Sequence, residues 1–315
     1  MEIAILIPCY NEEKTVGKVI DDFKNELPEA KIYVYDNNSK DKTSEIAKEH
    51  GAIVRREYRQ GKGNVVRSMF RDINADIYVM VDGDDTYPAE FVHQLIDPIA
   101  KGRANMTIGD RLSNGSYKGE NKRKFHNLGN DMVKTFINLL FKSKLNDIMT
   151  GYRAFDKEFV KNMPVLSDGF QIETEITIHA LHRKFLVEEI PIAYRDRPEG
   201  SFSKLNTFSD GFKVLKTIGG LFKDYKPMIF FTTLFIILLI LGVLTGVPVI
   251  DEFIKFRFIR KVPSAILAVG FVVLASISLL CAIILDNNVK NDRAAYELNL
   301  NRYKDIEQER SLRDE

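Results

Sequence analysis

Apolar and polar positions follow two alternating periods over the first hundred residues. Ile3 to Ile7, Ile32 to Tyr35, Ala52 to Val54, Ile77 to Val81 and Asn105 to Ile108 are short apolar runs that predict buried strands. Between them, helical spacing predicts helices over Glu12 to Leu27, Asp41 to His50, Gly63 to Ile73 and Ala89 to Ala100, the first with Val16, Val19, Ile20 and Phe23 on one face. Strands alternating with helices predict an α/β fold with a mainly parallel sheet covered on both faces. Residues 110–205 are less regular, with helices expected over Asp131 to Phe141 and Phe170 to His182.

Past residue 203 the pattern changes. Leu205, Phe208, Phe212, Leu215, Ile218 and Phe222 recur with lysines between them, which predicts an amphipathic helix lying in a membrane interface. Met228 to Val249 and Pro263 to Leu285 carry no charged side chain, and each exceeds the roughly 20 residues that span a bilayer. The expected organisation is an α/β domain over 1–202, a juxtamembrane helix over 203–226, two spans with a basic linker over 227–286, and a polar tail over 287–315. That tail is a candidate solvated helix or oligomer contact. Two spans return the chain to the side it left, so both termini are expected on one face. Lys255, Arg257, Arg260 and Lys261 in the linker nearly balance the lysines before the first span, so charge favours a cytoplasmic N-terminal domain only weakly.

Composition narrows the class. Lys and Arg number 45 against 44 Asp and Glu, so no global field points to nucleic acid. Cys9 and Cys281 are too few for a disulfide framework and are expected to stay reduced. The chain enters a strand directly after Met1-Glu2 with no basic leader, so no signal peptide is expected. His126, His179 and His182 lack metal-ligand spacing.

The candidate chemistry collects where predicted strands end. Asp82-Gly83-Asp84-Asp85 closes the strongest apolar run, at the strand end where open α/β sheets place ligands. Two aspartates around one small residue can share a hard divalent cation completed by substrate phosphates, although Asp-Gly is also common turn chemistry. Pro8-Cys9-Tyr10-Asn11-Glu12-Glu13 leads from the first strand into the first helix, either as a nucleotide contact or as a turn capped by Asn11. Asp36 can accept a hydrogen bond from a base N–H, and Gly61-Lys62-Gly63 opens a helix whose amides and lysine suit a diphosphate. The segment fits neither a Walker A loop nor a dinucleotide fingerprint, which argues against an ATPase and a dehydrogenase.

In that order, Pro8 to Glu13, Asp36 to Ser39, Gly61 to Gly63 and Asp82 to Asp84 resemble the motifs of family 2 glycosyltransferases. Asp147-Ile148-Met149-Thr150-Gly151-Tyr152-Arg153 and Arg195 to Leu205 resemble segments of the polyprenyl-phosphate glycosyltransferases in that family, over about residues 1–225. The resemblance implies a GT-A domain with a nucleotide-sugar pocket drawn from Pro8, Tyr10, Asn11, Glu12, Asp36, Asn38, Lys62, Asp82 and Gly83. It implies Mg²⁺ or Mn²⁺ on Asp82 and Asp84, and catalytic roles for Asp84 and Asp147. It further implies a nucleotide-sugar donor, expected to be UDP-linked, and a polyprenyl-phosphate acceptor, for whose phosphate Arg111, Arg123, Arg197 and Lys204 are the candidate ligands. For Asp147 three roles stay open: base, orienting group, or ion-pair partner of Arg153. Glu173 is a weaker candidate for touching the sugar.

A processive polysaccharide synthase is the nearest rival, but it carries a Gln-x-x-Arg-Trp motif and this chain contains no Trp. An inactive membrane scaffold is the other, and the intact carboxylates at Asp82, Asp84 and Asp147 argue against it.

Overall fold

A computed structural model describes residues 1–113, 124–169, 171–195, 219–220 and 222–314. The chain divides into two compact units, Met1–Gly211 and Phe212–Glu315.

The first unit is built on a seven-stranded sheet of β1 (Ile3–Cys9), β2 (Lys31–Asp36), β3 (Ile53–Arg56), β4 (Ile77–Met80), β5 (Met106–Asp110), β6 (Arg153–Asp156) and β7 (Val187–Pro191), in the order β3-β2-β1-β4-β6-β5-β7. β1 pairs in parallel with β2 and β4, β2 with β3, and β5 with β7, while β6 runs antiparallel to both β4 and β5. The sheet is therefore mostly parallel, as the alternating pattern predicts, with one reversed strand. Its helices are α1 (Val16–Glu26), α2 (Thr43–Glu49), α3 (Lys62–Asp72), α4 (Val92–Ala100, entered through a 3₁₀ turn at Ala89–Phe91), α5 (Lys124–Phe141), α6 (Lys157–Asn162) and α7 (Ile172–Arg183).

The expected face of α1 is buried: Val16, Val19, Ile20 and Phe23 share one core with Ile5, Ile7 and Val79 of the central strands and with Val81 just past β4. Each such side chain contributes about 1.5–3 kcal/mol when it leaves water. β4 is buried at every position, which explains its uninterrupted apolar run. The reversed strand and β7 escape the sequence pattern for a physical reason. β6 is four residues beginning with a charged Arg, and β7 is an edge strand carrying two glutamates and ending in Pro.

Topology decides where the site lies. The chain moves from β1 outward to β3 and then crosses back to β4, so β1 and β4 flank a switch point whose crevice opens at their carboxyl ends. Because β6 is antiparallel, its entry at Arg153 pairs with Met80 at the exit of β4 and with Ile108 near the exit of β5. The loops before β6 and after β4 and β5 thus meet at one edge.

The second unit is a pair of helices, α8 (Pro227–Phe256) and α9 (Val262–Asp314), long and apolar enough to be candidate membrane spans. Among the described residues only 6% of the first span's most apolar window is buried. The two pack closely: the Ser278 hydroxyl donates to the Phe231 carbonyl at 2.9 Å, and a Cβ on Gly242 would stand 3.1 Å from Val272. α9 continues without a break into the polar tail. Residues 203–218 of the expected interfacial helix lie outside the described residues.

Candidate active site

The ends of β1 and β2 are stitched together before any ligand is considered. Cys9 is in register with Asp36, and the Asn37 amide donates to the Cys9 carbonyl at 2.9 Å. Asn37 then binds the Glu57 and Arg59 carbonyls through Nδ2 and accepts from Gly61 N through Oδ1 at 2.7 Å. Asn11 and Asn38 take positive φ (54° and 63°), a conformation asparagine tolerates better than most residues. Asn11 N donates to Ser39 Oγ, its Oδ1 accepts from Lys40 N, and Asn38 Nδ2 donates to the Tyr58 carbonyl. Glu12 opens α1, with its carbonyl accepting from Val16 N and its amide donating to Thr43 Oγ1. Pro8 and Tyr10 are half-buried on the same turn. Asp36 is buried, with Oδ1 accepting from Ser39 N at 3.0 Å.

Asp82-Gly83-Asp84 follows β4 directly. A Cβ on Gly83 would stand 2.7 Å from Cys9 Sγ and 3.4 Å from Ile7 Cγ2, so only glycine lets this turn settle on the end of β1. The Gly83 carbonyl accepts from Thr15 Oγ1 at 2.6 Å. Asp84 is buried, with Oδ1 accepting from the Thr86 amide and hydroxyl at 3.3 and 2.6 Å. Asp82 is held differently. Its carboxylate lies against the backbone of Gly151, where a Cβ would collide with it, and it forms a short ion pair with Lys62 Nζ.

At the start of α3 the amides of Gly61 and Asn64 are taken by Asn37 Oδ1 and the Asp168 carbonyl. Lys62 reaches Asp82 and, at 2.5 Å, Glu173 Oε1. Burial pulls its pKa down, but the two carboxylates overcome that and hold it above the ordinary lysine value. Glu173, at the start of α7, is thus bound to Lys62.

Arg111, just past β5, meets Asp147 in a bidentate pair: Nε to Oδ2 at 2.7 Å and Nη2 to Oδ1 at 3.0 Å. Both side chains are nearly excluded from water. The Arg111 guanidinium also lies 5.4 Å from the Tyr194 ring centroid, and its Nη1 donates to the Tyr87 hydroxyl at 3.3 Å. That hydroxyl accepts from Gly151 N at 3.0 Å, which joins the Arg111–Asp147 pair to the backbone beneath Asp82. Burial pushes the Tyr87 pKa up, so the hydroxyl stays protonated. Beneath Asp147, Glu189 of β7 accepts from Asn146 N and Asp147 N at 2.8 and 2.9 Å.

Among the three roles open for Asp147, the pairing with Arg153 is not what forms. Arg153 is fully buried and donates to the Thr150 and Ile148 carbonyls at 3.0 and 2.7 Å and to Thr177 Oγ1 at 2.9 Å. Burial draws its pKa down to about 10 against the opposing pull of Glu173 and Asp147. It is a brace for the 147–151 loop. Of the acceptor-phosphate candidates, Arg123, Arg197 and Lys204 lie outside the described residues. His179 packs between Phe159 and Phe185, with ring centroids 5.6 and 5.9 Å away. Tyr87, Glu189 and Tyr194 went unnoticed in the sequence; only the Tyr two residues after Asp85 offered a local signal.

The residues fit a divalent cation. Burial raises the Cys9 thiol pKa, and the carboxylates of Glu12, Asp36, Asp82 and Asp84 raise it further, which marks a negative field at the crevice floor. The donors are carboxylate oxygens, which suit Mg²⁺ or Mn²⁺. Among the described residues no three His, Cys, Asp or Glu side chains close a cage, so a diphosphate would have to complete the shell.

Residues 4–163 match the family described as glycosyl transferase family 2. The chain is 33% identical over 230 residues to glycosyltransferase AglJ of Haloferax volcanii, covering 73% of this chain and 75% of that one. It is 29% identical over 217 residues to the dolichyl-phosphate hexose transferase of the same organism, covering 69% and 92%. Glucosyl-3-phosphoglycerate synthase from Mycobacterium tuberculosis, crystallised with Mn²⁺, UDP and phosphoglyceric acid, has the same fold. It superposes with a TM-score of 0.55 at 19% identity over 70% of this chain and 78% of that one.

Proposed function

This chain belongs to glycosyltransferase family 2, and from that premise we propose that it transfers a hexose or N-acetylhexosamine, with inversion, from a nucleotide sugar to a polyprenyl phosphate such as undecaprenyl phosphate. The observation that carries the reading is the meeting of two charged assemblies at one sheet edge: Asp82 with Lys62 and Glu173, and Arg111 with Asp147, joined through Gly151 and Tyr87. A donor diphosphate needs the first and an anionic acceptor needs the second. A dolichyl-phosphate hexose transferase among the relatives supports the lipid acceptor.

Asp36 would receive the base, the turn from Pro8 to Glu12 and Asn38 would line the nucleoside, and Asp82 and Asp84 would hold Mg²⁺ or Mn²⁺. Bound there, the metal supplies Lewis-acid neutralisation of charge on the departing nucleoside diphosphate. Gly83 keeps the turn low enough for the diphosphate to approach. Arg111, oriented by both oxygens of Asp147, would present its guanidinium to the acceptor phosphate, with Arg123, Arg197 and Lys204 proposed to assist. A phosphate oxygen attacks the anomeric carbon as that carbon's bond to the diphosphate oxygen breaks. The acceptor is already ionised near neutral pH, so no base must remove a proton. Asp147 is accordingly an orienting group.

The spans keep the N-terminal unit near the bilayer, where the acceptor's phosphate emerges. Nucleotide sugars are cytosolic, so the N-terminal unit and both termini face the cytoplasm. The lipid-linked sugar then serves modification of a cell-envelope polysaccharide.

The test is transfer of label from a panel of UDP- and GDP-sugars to undecaprenyl phosphate by full-length protein in lipid, with Mg²⁺ or Mn²⁺ and with chelator. One donor should yield a metal-dependent, organic-extractable product. Asp84→Asn should lower that yield at least ~100-fold while melting like the parent, because an amide oxygen can still accept from Thr86. Polymer without lipid product, or undiminished yield from Asp84→Asn, would overturn the reading.

A further inference from the structure

Lys62 stands where a second cation should stand. Its ammonium is shared by Asp82 and Glu173, and the Lys62 and Glu173 side chains are 10% and 6% exposed. The root of the lysine cannot shift. Gly61 sits at φ 129°, and a Cβ on Gly61 or Gly63 would run into the Asp168 or Ser167 carbonyl, so the start of α3 is wedged against that loop. Asp82 is backed on one side by Gly151, where a Cβ would collide with its carboxylate. Any ion that takes Asp82, whose side chain is 27% exposed, must therefore share it with the ammonium or expel it, and two cations on one carboxylate repel.

We propose that Lys62 is a built-in placeholder for the divalent cation, occupying Asp82 until a nucleotide diphosphate arrives and then yielding that carboxylate to the metal. The inference rests on the metal role put forward above for Asp82. A diphosphate supplies both missing elements: anionic oxygens to receive the released ammonium and further ligands for the ion. Metal and nucleotide then bind with positive coupling, and by linkage each strengthens the other equally. Without nucleotide the pocket resists the metal. Glu173 acquires a purpose in the same scheme, since it keeps the displaced lysine charged and near the diphosphate.

The test is Mn²⁺ binding to the full-length protein in detergent or nanodiscs, read from the electron paramagnetic resonance signal of free Mn²⁺, without acceptor and without turnover. Wild type should bind Mn²⁺ weakly alone and about 10-fold or more tightly with UDP or GDP, within the usual range of coupling between sites. Lys62→Met should bind Mn²⁺ about 10-fold more tightly than wild type without nucleotide, and the gain from nucleotide should shrink. Because that variant leaves Glu173 without its counter-charge, Lys62→Met with Glu173→Gln provides a charge-balanced second reading with the same expected tightening. Asp82→Asn should abolish the effect in every background. If wild type binds no Mn²⁺ even with nucleotide, the metal role of Asp82 fails. If it does bind, and both folded Lys62 variants bind nucleotide-free Mn²⁺ no more tightly than wild type, the placeholder role alone is overturned.

Discussion

Replacing Asp147 with alanine should destabilise the N-terminal unit far more than loss of a surface contact would. The pair with Arg111 has two charge-assisted hydrogen bonds at 2.7 and 3.0 Å, and its side chains are only 3% and 10% exposed. Alanine would leave the guanidinium buried with its main counter-charge gone, a loss of about 3–5 kcal/mol. For a unit of this size that corresponds to roughly 6–20 °C in Tm. Removing both charges, as Arg111→Met with Asp147→Leu, should return stability to within about 1–2 kcal/mol of wild type, because an apolar pair avoids desolvating either ion. Asp147→Asn should fall between, keeping one acceptor oxygen and losing the charge. The assay is thermal unfolding followed by near-ultraviolet circular dichroism, which reports tyrosine packing in a chain without Trp. Additive effects of the two single substitutions, or an Asp147→Ala variant within about 1 kcal/mol of wild type, would refute the reasoning.

Three further outcomes follow from the same geometry. Gly83→Ala forces a methyl to within 2.7 Å of Cys9 Sγ and should cost about 1–3 kcal/mol together with nucleotide affinity; adding Cys9→Ala should recover much of the Tm. Arg153→Lys loses the planar fork whose three nitrogens reach the Thr150 carbonyl, Thr177 Oγ1 and the Ile148 carbonyl separately, and should cost about 2–4 kcal/mol in denaturant unfolding, although no charge is lost. Burial raises the Glu189 pKa above the ordinary 4.5, so just above that pH the folded state keeps a proton that the unfolded chain has released. Its contribution to stability therefore falls as pH rises through that window, and Glu189→Gln should flatten that part of the stability–pH profile.

How much of this was legible beforehand depends on range. The β4 run ending in Asp82-Gly83-Asp84, the buried face of α1 and the two long apolar helices are written in short stretches, because burial on a strand, a helix or a span imposes its own period on neighbouring residues. The order of motifs that marks the family is likewise a property of the chain alone. Pairing across the fold is not. Arg111 and Asp147 lie 36 residues apart, and nothing near either one says that they meet. Arg153 matched its motif as well as Asp147 did, yet it turned inward to backbone carbonyls. Lys62 reads in the sequence as a helix-start phosphate ligand, and its ion pairs with Asp82 and Glu173, like the packing of its turn against Ser167 and Asp168, are visible only in the fold. These outcomes depend on the reversed strand β6, which brings the 147–151 loop beside the exit of β4. The sequence by itself determined the elements, the spans and the identity of the charged groups; the sheet order determined which charges face each other, because a buried charge settles wherever the fold supplies its nearest partner.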